Sequence, residues 1–292
     1  MKILQIGVPK SGNLWLYKIL QNVLDFSGNA NQSFIQQQPI FELAKNWDLN
    51  YPDQAQIDVI DITDLQVSYR ISSIFRMPME DLQGYFSKTS HVWTHSPICN
   101  TSEEVFSHFS KKVYIIRDPR DVLISASKYY TSDYMLKYFP QEQTDPEKFL
   151  QKNFDKLLRE WVWHVWDHLR VQQKNHIHIC YFEGFLTDFQ NELSQLLKYL
   201  DVDLTSGEKE KLEENVSFSK MKKKNPKHLR KGTTGQWKEG LTDHQREKVE
   251  QITGPILKET GYLQKDAFKR DFSETDFQKL KEEIIFGLEN AG

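Results

Sequence analysis

Cysteine is nearly absent from this chain of 292 residues, which has only Cys99 and Cys180. The pair has neither metal-ligand nor redox-motif spacing, and one bridge does not make a secreted disulfide scaffold, so both read as free thiols. Long apolar runs are also missing, and no stretch approaches the ~20 residues that span a bilayer. Met1-Lys2 leads straight into a short apolar run, without the basic leader and apolar core of a signal peptide, so the expected location is the cytoplasm. There are no Gly-, Pro- or Ser-rich linkers, repeats or low-complexity tracts, which favours one domain over residues 1–292. Charge of one sign is not in excess: 38 Lys and Arg against 41 Asp and Glu give a net charge of −3, which excludes global attraction to a polyanion. The Walker order of Gly, four residues, Gly, Lys and Ser or Thr is absent as well, which argues against a nucleotide triphosphatase.

Hydrophobic residues at 38% and aromatics at 13% suffice for a buried core. Apolar runs predict strands at Ile3–Ile6, Val59–Ile62, His91–Thr94, Lys112–Arg117 and Ile177–Phe182, separated by long helical or irregular segments. That alternation implies an α/β fold with a central, mainly parallel sheet flanked by helices. Helical periodicity predicts helices over Asn13–Phe26, Pro146–Gln173, Thr242–Glu259 and Thr275–Leu288, the last belonging to a C-terminal helical extension over 273–290. The tryptophans of the long helix, Trp161, Trp163 and Trp166, read as packing; no basic residues interleave regularly with them, so no nucleic-acid partner is expected.

Three stretches carry candidate chemistry. Gly7-Val-Pro-Lys-Ser-Gly-Asn-Leu-Trp15 follows a strand and opens a helix, so freed amides, the helix dipole and Lys10 converge on one anion site; an ordinary turn and helix cap is the plain alternative. Lys112 to Ser127 is a strand that ends in Arg117 and passes through Asp118-Pro119 into a helix. Arg117 and Ser125 can there clasp a phosphate, unless Arg117 pairs with Asp118 or Asp121. The third is Arg230-Lys-Gly-Thr-Thr-Gly-Gln-Trp237, after a segment from Lys220 that holds basic residues and no acid. Gly232 directly after Arg230-Lys231 suits close backbone approach to a bound group, whereas a solvated lysine face has no need of it.

In order and spacing these stretches resemble the cytosolic-type sulfotransferases, which use 3′-phosphoadenosine 5′-phosphosulfate (PAPS) as sulfuryl donor. The resemblance runs from Ile3 to about Glu247 and includes Ser217, Phe218 and Met221 of Val216-Ser-Phe-Ser-Lys-Met221, and Thr94, His95 and Pro97 of Val92-Trp-Thr-His-Ser-Pro97. It implies a P-loop-like sulfotransferase fold and transfer of a sulfuryl group from PAPS to a hydroxyl, or as a lesser alternative an amine, of a small-molecule or lipid acceptor. The product would be adenosine 3′,5′-bisphosphate (PAP), and no metal is implied. By the resemblance His95 is the general base, Lys10 stabilises the leaving phosphate and Ser125 restrains Lys10. Lys10, Ser11, Gly12, Asn13, Leu14 and Trp15 form the 5′-phosphosulfate loop. Arg117, Ser125, Arg230, Lys231 and Gly232 hold the 3′-phosphate, and Phe182, Ser217, Phe218 and Met221 lie on the adenosine side. Trp15 and Phe218 are candidates to sandwich adenine, with a core role for Trp15 equally open.

Two positions depart from the family pattern: Trp93 stands where the motif has lysine, and Tyr181-Phe182-Glu183 leaves open whether Tyr181 or Phe182 faces the nucleotide. The departures make a catalytically weak or silent nucleotide-binding protein conceivable, and a nucleotide-dependent kinase is a further alternative. The acceptor is expected among Gln32–Phe41, Tyr69–Met79, Trp93 and Tyr129–Phe139. Lys238 to Glu247 only partly resembles the family's dimerisation element, which suggests a monomer or weak homodimer.

Overall fold

A computed structural model describes residues 1–29, 31–224, 232–263 and 268–290. Arg230 and Lys231 lie outside the described residues. Among those described, seven strands form one sheet: β1 (Ile3–Gly7), β2 (Val59–Ile62), β3 (Val67–Ile71), β4 (Phe75–Pro78), β5 (His91–Thr94), β6 (Lys111–Ile116) and β7 (Ile177–Tyr181). Their order is β4-β3-β2-β5-β1-β6-β7, with β2, β5, β1, β6 and β7 parallel and β3 and β4 antiparallel at one edge.

The parallel strands are buried on both faces, as crossover helices require. Ile3, Val59, Trp93, Val113 and Ile115 pack with the helix Asn13–Phe26 and with Phe185, Leu193 and Leu197. On the opposite face Leu4, Ile6, Ile60, Val92, Tyr114 and Ile179 pack with the helices Pro119–Tyr130, Pro146–Arg170 and Asp243–Glu259. The chain leaves β1, adds β2 and β5 on one side, then crosses to β6 and β7 on the other. The C-terminal ends of β5, β1 and β6 therefore flank a topological switch point, where α/β sheets place their ligands.

The strand and helix expectations hold to within a few residues, and the edge hairpin β3–β4 is additional to them. Phe277, Leu280 and Ile284 of the last helix, Glu274–Asn290, are buried in the main core.

Candidate active site

After β1 the chain turns through Lys10 at φ 75° and Gly12 at φ 92° before the helix begins at Asn13. Asn13 Nδ2 donates to the Val8 carbonyl at 2.8 Å, and Gln5 Nε2 donates to the Asn13 carbonyl at 2.8 Å. These two bonds tie the loop to the strand beneath it. The amides of Gly12, Asn13 and Leu14 have no hydrogen-bond partner among the described residues, as first-turn amides lack one within a helix. Ser11 Oγ and Arg117 Nε are buried and likewise unpartnered among the described residues. Buried donors ordinarily find an acceptor, so these fit the oxygens of a bound phosphate or sulfate.

Arg117 leaves the end of β6. Its Nη1 donates to the Lys10 carbonyl at 3.1 Å, its Nη2 to the Thr233 carbonyl at 3.3 Å, and its guanidinium lies 4.2 Å from the Phe182 ring centroid. It thereby joins the first loop to the last. Asp118 pairs instead with Arg120 at 2.6 Å, and Asp121 accepts from the amides of Gly235 at 2.7 Å and Trp237 at 3.2 Å. Beyond them, half-buried Glu183 accepts from the Asp118 amide and the Tyr262 hydroxyl; desolvation raises its carboxyl to about 7.

His95 stands just past the end of β5. Its Nδ1 lies 2.5 Å from the Gly7 carbonyl; because a carbonyl only accepts, Nδ1 carries the proton and Nε2 keeps its lone pair. Burial first, and the Arg70 charge second, push the imidazole down to about 3, so it is neutral at physiological pH. Two residues on the long helix hold the site from below. His164 donates through Nε2 to the His95 carbonyl at 3.2 Å while accepting from the Tyr114 hydroxyl at 2.8 Å, and the Trp161 indole donates to the Arg117 carbonyl at 3.2 Å.

These elements border a cavity of about 560 Å³ whose lining includes Lys10, Gly12, Asn13, Leu14, Trp15, Arg117, Ser125, Phe182, Ser217, Phe218, Met221 and Gly232, together with His95. Of the described residues expected at the site, Ser11 alone is not in the lining; it lies buried beneath the loop. The Lys10 ammonium sits 4.0 Å above the Tyr129 ring, one helical turn from Ser125. Phe182 faces the cavity and Tyr181 the opposite core, where its hydroxyl donates to the Lys269 carbonyl. Trp15 packs edge-on against Phe182 at 5.5 Å and donates to the Val216 carbonyl at 3.0 Å, so it joins cavity wall and core at once. Trp93 is buried between Tyr17, at 6.1 Å, and His95, at 5.2 Å.

The acceptor-side expectation needs correction. Residues 32–41 do not line the cavity; the amides of Phe34 and Ile35 are bound to the Asp58 carboxylate, which anchors Ile35 in the core. Tyr51, Gln54, Ile57 and Val59 line it in their place, along with Arg70, Ser72, Ser73, Tyr129, Tyr130 and Met135. His164, Tyr114 and Trp161, which position the site from behind, were not singled out in the sequence. Residues that act through backbone carbonyls leave no motif.

The family model described as "Sulfotransferase domain" matches residues 1–261. This chain belongs to the sulfotransferase family. It is 27% identical to mouse sulfotransferase 2A6 over 60% of this chain and 67% of that one, and 28% identical to mouse sulfotransferase 2A2 over 55% and 61%. Thus the chain spans about three fifths to two thirds of the length of these relatives. It matches the guinea pig (Cavia porcellus) 3-beta-hydroxysteroid sulfotransferase at 26% identity over 85% of this chain and 80% of that one. Two solved structures share the fold. Mouse sulfotransferase SULT7A1 with PAP has a TM-score of 0.56 at 20% identity, covering 96% of this chain and 87% of the other. Retinol dehydratase with retinol and PAP has a TM-score of 0.60 at 16% identity, covering 88% and 81%. No helix among the described residues of this sulfotransferase is long and apolar enough to cross a membrane.

Proposed function

We propose that this sulfotransferase moves the sulfuryl group of PAPS onto a hydroxyl oxygen of a small-molecule or lipid acceptor by in-line displacement, with His95 as general base. The observation that carries the reading is the Nδ1–H···O bond from His95 to Gly7, which leaves Nε2 as a proton acceptor on the wall that also bears the Lys10 loop. As the acceptor oxygen bonds to sulfur, its proton passes to Nε2, and the sulfur–oxygen bond to the 5′-phosphate breaks with its electron pair going to PAP. Lys10 and the amides of Gly12, Asn13 and Leu14 stabilise the charge that grows on that phosphate, as preorganised donors do. Arg117, Ser125 and Gly232, together with Arg230 and Lys231 outside the described residues, bind the 3′-phosphate. Ser217, Phe218 and Met221 bound the adenosine side, and Ser125 and Tyr129 restrain Lys10.

Transfer of labelled sulfate from PAPS to a panel of hydroxylated small molecules and lipids tests the reading. Replacement of His95 by Ala is expected to lower turnover by about a hundredfold to ten-thousandfold, the usual span for loss of a general base. Near-normal turnover in that variant would remove the base assignment. PAP bound and no transfer to any acceptor would favour the silent-binder alternative.

A further inference from the structure

The charges that line the cavity are unequal. Among the described residues Lys10, Arg70 and Arg117 line it, against one acid, Glu213, which accepts from Gln190 beside the adenosine-side segment. Lys10 and Arg117 belong to the donor loops. Arg70 does not: it sits on β3, opposite Val59 of β2, which in turn lies opposite Trp93 of β5. Directly paired residues put their side chains on one face, so Arg70, Val59 and Trp93 form a row that ends two positions before His95. Two strand spacings of about 4.8 Å separate the backbones of Arg70 and Trp93 by roughly 10 Å.

The Arg70 side chain is anchored and still has donors to offer. Nε donates to Asp61 at 3.1 Å and Nη1 to the Ser72 carbonyl at 2.7 Å, while Nη2 has no partner among the described residues. Asp61 does not neutralise it fully, because Arg76 meets the other oxygen of the same carboxylate at 2.6 Å; two guanidinium groups share one acid. The turn is fixed as well. Ser72 is held at φ 54°, in the left-handed region, and its hydroxyl meets the Tyr134 hydroxyl. The Arg70 charge acts on His95 and on Tyr51, Tyr129, Tyr130 and Tyr134, so it is directed into the acceptor half of the cavity.

Resting on the sulfotransferase reading of this site, we propose that Arg70 is an acceptor-recognition residue and that the acceptor is a hydroxyl compound carrying an anionic group, such as a carboxylate, at the end remote from its reacting oxygen. A planar fork with unused N–H groups matches a carboxylate, and an incompletely neutralised guanidinium on the acceptor side disfavours an amine. Calorimetry with para-hydroxyphenyl acetate, propanoate and butanoate, their methyl esters and para-hydroxyphenethylamine, each added to the PAP-loaded protein near neutral pH, tests it. The best acid is expected to bind about tenfold or more tighter than its ester, as for a charge-assisted contact, with the amine weakest. Arg70→Gln is expected to erase the difference between acid and ester, and Asp61→Asn, which leaves Arg70 less neutralised, to widen it. Equal binding of acid and ester by the unaltered protein would overturn the proposal. So would an intact ratio in the Arg70 variant, which would place the carboxylate on Lys10, or a narrowed ratio in the Asp61 variant. If PAP itself fails to bind, the donor reading fails separately, and the acid-to-ester ratio is then read on the protein alone.

Discussion

At Gly12, φ is 92°, and a Cβ there would stand 2.4 Å from the Phe182 ring. That ring lies under the Arg117 guanidinium, so it has little room to retreat. Gly232 repeats the arrangement at φ 59°, with the Phe218 ring 2.1 Å from its absent Cβ. Both aromatics line the cavity, so each glycine lets a loop lie close against a cavity-lining ring. Replacement of Gly12 by Ala adds left-handed strain of roughly 1–3 kcal/mol to the clash, and is expected to weaken PAP binding by about tenfold or more, as measured by calorimetry. Unchanged affinity would show that the loop has another way to make the cradle. His95 gives a second expectation at this scale. Because burial lowers its pKa to about 3 from the ordinary value near 6.5, kcat/KM for acceptor should show no acid limb between pH 8 and about 5.5. A limb centred near 6.5 in a pH–rate profile would contradict a desolvated, neutral His95 as the proposed base.

The long helix Pro146–Arg170 explains why its face is rich in aromatic and histidine side chains. Trp161 and His164, three residues apart, reach the carbonyls of Arg117 and His95, so one helix sets the height of two strand ends. Its tryptophans pack: Trp161 and Trp166 are buried in the main core and Trp163 lies against it. The loop-bearing elements were legible because glycine, proline and a lone strand-end cation mark them in sequence: Asn13–Phe26, Val59–Ile62 and His91–Thr94 fall where periodicity puts them. The hairpin β3–β4 was not, because Arg70, Arg76 and Pro78 interrupt its apolar pattern and its register depends on pairing with β2. Arg70 fell within the expected acceptor segment Tyr69–Met79 but was not singled out, because only that register brings it toward His95. Beyond the matched family region, the helix Glu274–Asn290 inserts Phe277, 1% exposed, into the main core. Phe277→Ala is expected to cost about 3–5 kcal/mol in urea unfolding, and a loss under about 1 kcal/mol would mean the helix is not integral to the domain.

Among the described residues, five histidines are held neutral by desolvation: His91, His164 and His168 are buried, and His95 and His178 are half-buried. His91, His95 and His178 are lowered to about 3, His164 to about 4 and His168 well below its ordinary value. Each contributes stability that is present above about pH 6.5 and is lost on acidification, because the unfolded chain takes up a proton that the folded one refuses. Buried Asp58 and half-buried Glu183, both raised to about 7, act in the opposite sense, as do Asp121 and Glu192, which are also raised. The histidines outnumber them, so the melting temperature is expected to fall between pH 7.5 and 5.5; a rise would show that the carboxyls dominate.

The sheet gathers three loops and one imidazole at a single switch point, and the central claim is that the cradle so formed holds a 3′-phosphorylated adenosine donor. Calorimetric titration with PAP in the presence of a chelator, beside a titration with magnesium and ATP, tests that claim most directly. Tight, magnesium-independent binding of PAP with ATP far weaker is the expected result, and preference for magnesium-ATP would contradict it.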